Sequence, residues 1–293
     1  MIDDSLRARA IELYDRFTHD HHDRRTFMRE MTLLAGSAAA ATALVNAIAA
    51  SPAAAAIVDP ADPRLVTRKG GYAVGGGKTM TGYFAAPRGA GRKVGAVVVI
   101  HENRGLNAHT EDVARRLALA GYFAVAPDFL SDQGGTPADE DQARDMIGKV
   151  DYDQIIAEGV ATLGRLKGLS NGNGKAGMVG FCWGGAMVHQ VALAAGDGVD
   201  AAVSYYGPAP APEAVARLQA PLLMHLAGND ARVNATGEPY AAAAKATGKP
   251  VTLHVYPGVE HAFNNDTSAE RYNKTAADLA WSRTLAFFKQ HLA

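Results

Sequence analysis

The chain has 293 residues, 48% hydrophobic and 20% charged, with 29 Lys and Arg against 30 Asp and Glu. That composition excludes a disordered or fibrous protein, and the length allows burial of about three quarters of the unfolded surface. A net charge of -1 leaves no electrostatic footprint for nucleic acid. The single cysteine, Cys182, excludes an intrachain disulfide and is either an inert small hydrophobe or a reactive thiol.

Residues 1–58 are unlike the rest of the chain. Asp3 to His19 reads as a helix. Arg24 and Arg25 then precede Thr26-Phe27-Met28-Arg29, and Met31 to Val58 carries no charge and is about half alanine. Paired arginines, a weakly hydrophobic run and Ala54-x-Ala56 at its end resemble a twin-arginine export signal. That resemblance implies a periplasmic protein that meets the export machinery in transit and begins, when mature, between Ala53 and Asp59. The alternative is a cytoplasmic protein that retains a helical segment packed on its body or on a partner subunit. His19, His21 and His22 are expected to be solvated in this charged tail. Residues 59–64, around Pro60 and Pro63, read as a linker into a body at 65–293, and no internal repeat is present.

The body alternates strands with helices. Leu65–Val74 and Lys78–Ala86 flank Gly75-Gly76-Gly77 and predict an antiparallel hairpin. Six short apolar runs come next: Ala96–His101, Tyr122–Pro127, Ala176–Cys182, Ala201–Tyr206, Pro221–Ala227 and Val251–Tyr256. Such runs suit strands buried on both faces. Helical patterns lie between them at Thr110–Ala120, Ala138–Val150, Gln154–Leu166, Ala186–Ala195, Glu213–Leu218 and Pro239–Ala246, and a closing helix spans about Ala269 to His291. The fold class is α/β: a mostly parallel sheet of about eight strands with helices on both faces. Its active site is expected at the carboxyl ends of the strands.

Gly180-Phe181-Cys182-Trp183-Gly184-Gly185 turns a strand into a helix. Small residues two either side of a central nucleophile allow the sharp, strained turn that presents it, and a side chain at Gly180 or Gly184 would collide with that turn. The helix N-terminus favours a thiolate, and the amide of Trp183 points where an oxyanion would form. An acid and a base come later in the order this architecture uses: Asp230 after the turn Gly228-Asn229, and His261 in Gly258-Val259-Glu260-His261-Ala262-Phe263. Glu260, adjacent to His261, is a poorer orienter. His225 and His254 lie within strands and are expected to be packed.

Gly-Phe-Cys-Trp-Gly-Gly, the aspartate past a glycine turn and the late Gly-x-x-His-x-Phe resemble the dienelactone hydrolase (carboxymethylenebutenolidase) family of α/β-hydrolases over about residues 78–290. The resemblance implies a hydrolase of esters or lactones and a Cys182–His261–Asp230 triad working through a thioester. It assigns Glu102, in Ile100-His101-Glu102-Asn103-Arg104-Gly105, to hydrogen-bond the resting thiol and take its proton. A carboxylate there would by itself keep the thiol protonated. The amide of Asn103 is the expected second oxyanion donor, and Arg104, Tyr205 and Phe263 are expected to line the substrate site. No metal or organic cofactor is required by this chemistry.

One departure concerns substrate. Family members that cleave dienelactone present arginines to its carboxylate, one a few residues past the histidine. This chain has Asn264 and Asn265 there, with no arginine until Arg271, and Ser131-Asp132-Gln133 where the other is expected. Arg104, next to the Glu102 loop, is the alternative replacement; a site without a guanidinium would favour neutral esters or lactones. Two alternatives stay open: a broad carboxylesterase or thioesterase without dienelactone activity, and a non-catalytic module that uses Cys182 as a redox-sensitive thiol. The partner expected is a small ester or lactone.

Overall fold

The computed structural model describes residues 4–19, 23–49, 56–89 and 93–293. Strands β1 (Leu65–Gly75) and β2 (Lys78–Pro87) form the predicted antiparallel hairpin, and Gly75, Gly76 and Gly77 all take positive φ in its turn. The strands β3 (Val94–Ile100), β4 (Phe123–Pro127), β5 (Gly172–Phe181), β6 (Ala201–Tyr205), β7 (Leu222–Ala227) and β8 (Val251–Tyr256) then run parallel. Together they make one eight-stranded sheet in the order β1-β2-β4-β3-β5-β6-β7-β8.

Alternate residues of each parallel strand feed opposite cores. Val97, Val99, Val179 and Val203 pack beneath α4 (Ala108–Leu119) and α9 (Lys274–Leu292). Val98, Ile100, Met178 and Met224 pack beneath α6 (Tyr152–Lys167), α7 (Trp183–Ala195) and α8 (Ala231–Ala246). A shorter helix, α5 (Glu140–Ile147), is capped by Asp139. Burial on both faces is why these strands read as unbroken apolar runs. The segment predicted as a helix at 213–218 is a short 3-10 turn, Pro212–Arg217.

Helix α8 starts eight residues earlier than predicted. Pro239 reads as a first helical residue, where its missing N–H costs nothing, yet here it sits inside the helix. The true start is set by Asp230, whose side chain caps it by accepting the Val233 N–H at 3.1 Å.

Ahead of the sheet lie three helices, α1 (Asp4–His19), α2 (Arg24–Ala35) and α3 (Ala38–Ile48), with Gly36 in the left-handed region between the last two. They share a small core of their own, built from Ala10, Ile11, Tyr14, Phe17, Phe27, Met31, Ala41, Leu44 and Ile48. Among the described residues no single helix is long and apolar enough to cross a membrane. Helices α2 and α3 together pass by length and composition but meet at a 107° bend. Of the export-like pair, Arg24 ion-pairs with Asp141, while Ala54 lies outside the described residues. The chain enters the body under a fixed clamp: buried Asp112 accepts the Ile57 and Val58 amides at 3.2 and 2.9 Å, and Arg115 donates to the Val58 carbonyl at 2.8 Å.

Candidate active site

Four chemistry-bearing side chains converge at the carboxyl ends of parallel strands. Glu102 comes just after β3, Cys182 after β5, Asp230 after β7 and His261 after β8. The turn into α7 holds Cys182 at φ 54°, ψ -114°, a conformation an L-residue keeps only when its surroundings impose it. The glycines around it are required by space. A Cβ on Gly180 would meet the Gly184 carbonyl oxygen at 2.1 Å, and one on Gly184 would lie 2.4 Å from the Ile100 and His101 carbonyl oxygens. Packing of this turn against the end of β3 is what brings Glu102 and Cys182 to the same cavity.

His261 is buried, and its Nδ1–H donates to Asp230 Oδ2 at 2.5 Å while the other oxygen of that carboxylate caps α8. The acid is therefore fixed from two sides, which fixes the imidazole tautomer in turn. The Nε2 atom, facing the cavity, is buried without a hydrogen-bond partner among the described residues. Burial alone would lower the His261 pKa, but the Asp230 charge and hydrogen bond, with Cys182 alongside, overcome it and raise the imidazole to about 10. Burial likewise opposes the charged Asp230, and the His261 charge and hydrogen bond win, holding the carboxyl below its ordinary value. Glu260 turns outward and accepts from Asn229 at 2.8 Å.

Glu102 is held rather than free. Tyr206 donates its hydroxyl to one carboxylate oxygen at 3.3 Å, and Asn265 donates its amide to the other at 2.9 Å. The sequence assigns neither residue a role at Glu102. Asn265 fills the slot where an arginine was expected, and Tyr206 sits at φ 38° just past the end of β6. Among the described residues Ala262, at φ 64°, is the third non-glycine residue with positive φ; it and Cys182 line the cavity, and Tyr206 reaches it through Glu102.

Two expected lining residues are not there. Tyr205 is the last residue of β6 and points into the core, bonding Thr284 at 2.7 Å and stacking near His225. Phe263 is fully buried among the rings of Tyr205, Tyr206 and Tyr256. Trp183 opens α7 as expected, and its ring lies flat on His101 at 5.3 Å. Asn103 and Arg104 do line the cavity. Asn103 donates its side-chain amide to the Thr18 carbonyl, and Arg104 bonds Glu140 at 3.2 Å and the Tyr14 hydroxyl at 2.8 Å.

The expectation of a site without a guanidinium is overturned. Arg271 lines the same cavity as Arg104, reaching it because residues 264–272 fold back through turns closed by Asn265 and Ser268. In the closed arrangement its guanidinium pairs with Asp15 of α1 at 3.4 Å and lies over the Tyr14 ring. Burial raises the Asp15 carboxyl pKa even against the Arg271 and His261 charges.

Helix α1 thus forms the roof. His19 was expected to be solvated; its Nε2 instead lies 4.0 Å from Cys182 Sγ, and its ring stands edge-on to His261 at 4.9 Å. Burial, followed by the His261 charge, holds the His19 pKa well below its ordinary value, so this imidazole is neutral. His21 and His22 lie outside the described residues. Beneath the roof the free space is about 20 Å³, room for one water molecule.

Known proteins similar to this chain identify its family. The model of the "Dienelactone hydrolase family" matches residues 80–292. A protein of Escherichia coli strain K12 named "Putative carboxymethylenebutenolidase" is 30% identical over 263 residues, covering 83% of this chain and 94% of its own length. One of the same name from Saccharolobus solfataricus is 32% identical over 233 residues, covering 67% and 89%. Among solved structures, the "Putative Dienelactone Hydrolase from Klebsiella pneumoniae subsp. pneumoniae MGH 78578" superposes with a TM-score of 0.70 at 28% identity, over 78% of this chain and 99% of that one.

Proposed function

The chain belongs to the dienelactone hydrolase family and is a hydrolase of ester or lactone type, and we propose that Cys182, His261 and Asp230 carry its chemistry. The observation that most supports this is the Asp230–His261 pair, with Nδ1 tied down and Nε2 buried, unpartnered among the described residues and beside a strained cysteine. In this reading Glu102 takes the thiol proton as substrate arrives, and the thiolate attacks the ester carbonyl. The tetrahedral oxyanion is met by the amides of Trp183 and Asn103. His261, oriented by Asp230 and already protonated at Nε2, protonates the departing alkoxide. Water then cleaves the thioester with His261 as base, and the released thiolate takes its proton back from Glu102.

The substrate class we infer is an ester or lactone bearing a carboxylate. Arg104 and Arg271 both face the cavity, and Asp15 already occupies Arg271 as a carboxylate would. An ester larger than a water molecule needs the α1 roof displaced, because the closed cavity holds about 20 Å³. We also propose that residues 1–58 act as a twin-arginine export signal and that the mature enzyme works in the periplasm. Arg24-Arg25 and the uncharged run after them support this.

The test is turnover of a small aryl ester by wild type and Cys182→Ala, with intact-mass analysis of the quenched reaction. Repeated turnover with a transient acyl adduct, reduced at least about a thousandfold in the variant, is expected of a removed nucleophile. A single stable acylation without turnover would favour the thiol-sensor reading. Near-wild-type activity in the variant would remove Cys182 from the mechanism.

A further inference from the structure

We propose that the junction of α1 with the body is a zinc site in which His19, Cys182 and His261 bind one Zn²⁺, silencing the thiol and fastening the roof. It uses residues of the proposed hydrolytic site but does not depend on hydrolysis.

Three observations carry it. First, one ligand atom from each of the three residues lies within 4.8 Å of the others, two imidazole nitrogens and one sulfur. Tetrahedral zinc, with bonds of about 2.0–2.1 Å to nitrogen and 2.3 Å to sulfur, asks for ligand separations of about 3.4–3.6 Å. A contraction of about 1 Å, within reach of side-chain rotation alone, closes that gap. Second, the His261 Nε2 is buried, lacks a hydrogen-bond partner among the described residues and faces the cavity, while Nδ1 donates to Asp230. Carboxylate–histidine pairs of this form orient the ring and raise its basicity in zinc proteins. Third, the cavity of about 20 Å³ admits an ion or a single water but no ester. Two nitrogens and a thiolate match the borderline-soft character of zinc, and a water would complete four-coordination.

The atoms balance simply. The thiol proton of Cys182 and the proton on His261 Nε2 both leave to solvent as the thiolate and the Nε2 lone pair bind the ion. His19 is neutral and gives up no proton. The closed ring joins residues 163 apart in sequence, so release of α1 would first require loss of the metal.

The experiment titrates metal-free full-length protein with ZnCl₂, reading retained zinc after desalting and inhibition of aryl-ester hydrolysis, and repeats the titration with CoCl₂ for its absorption spectrum. Expected are one equivalent of zinc per chain, inhibition that tracks occupancy, and a near-ultraviolet thiolate-to-cobalt band that Cys182→Ser removes. His19→Ala should weaken zinc binding more than about a hundredfold, beyond what a lost outer-shell partner typically costs, without lowering metal-free hydrolysis. His19→Gln, which keeps a polar side chain at the helix end, should behave the same way. Retention of wild-type zinc affinity and cobalt spectrum in both His19 variants would overturn the proposal, as would failure to retain an equivalent. Because the cobalt spectrum needs no turnover, an inactive chain would count against the hydrolytic reading and leave the metal result standing on its own.

Discussion

Removing the roof is the sharpest perturbation the structure offers. A chain of residues 56–293 keeps both cores of the sheet, since α1–α3 bury their apolar side chains in a separate cluster. It also keeps the Asp112 clamp on Ile57 and Val58. What it loses around the cavity is three polar contacts and, beside it, a cation–π contact: Asp15 on Arg271, Tyr14 on Arg104, the Thr18 carbonyl on Asn103, and Phe17 under the Arg144 guanidinium. Four contacts of this kind, at about 1 kcal/mol net each, give about 4 kcal/mol. Ordering the side chains that make them returns about half. A closing free energy of about 2 kcal/mol leaves the site open in roughly one molecule in thirty, and a substrate that binds only the open state sees its apparent affinity reduced by that fraction. The truncated chain should therefore hydrolyse a neutral aryl ester with kcat/KM about 30-fold above full length, the gain carried by KM. Initial-rate kinetics on both chains, matched for melting behaviour, provide the measurement. Equal kcat/KM in two well-folded chains would refute the reasoning and mean that substrate passes the roof without moving it; a large loss would mean that α1 supplies part of the working site.

The same geometry sets two further outcomes. In the truncated chain, Arg271→Met should cut kcat/KM for a carboxylate-bearing ester about tenfold to a hundredfold, the worth of one charge-assisted hydrogen bond, and leave a neutral ester of the same size within about twofold; equal losses on both would reassign Arg271 to holding the fold. In the native host, intact-mass measurement should find a periplasmic protein starting between Ala53 and Asp59, and changing Arg24 and Arg25 to lysine should strand full-length protein in the cytoplasm, because lysine keeps the charge without the guanidinium fork. Wild-type protein recovered intact from Met1 in the cytoplasm would end the export reading.

The layered fold was legible because its signals are local. Apolar runs, a Gly-rich hairpin and the Gly-x-Cys-x-Gly turn each arise from sterics within a few residues, and each places its element in the sheet. Cys182, Asp230, His261 and Glu102 could be picked for the same reason: each stands just past a strand whose end is visible in the sequence. The misses arise where the site is assembled by parity or by fold-back. Strand side chains alternate faces, so an error of one residue exchanges core for site. Tyr205 was expected at the substrate and packs on Thr284, while Tyr206, turned by its positive φ, is the tyrosine that holds Glu102. Arg271 lies ten positions past His261, and only the turns through Asn265 and Ser268 return it to the cavity.

The N-terminal segment poses the opposite problem, because its own pattern is plain and its destination is not. Asp15 and His19 sit four apart, on one face of α1, which is a periodicity the sequence shows openly. Nothing local says that this face meets Arg271 and Cys182, more than 160 residues away. A leader needs only paired arginines and a weakly apolar run, and neither feature calls for a carboxylate and an imidazole on the preceding helix. Those two side chains fit the cavity chemically, Asp15 as a substrate-like anion and His19 as a donor beside the thiol. If residues 1–58 are cleaved on export, the same cut removes both, and the 20 Å³ cavity opens only in the compartment where the enzyme is proposed to work.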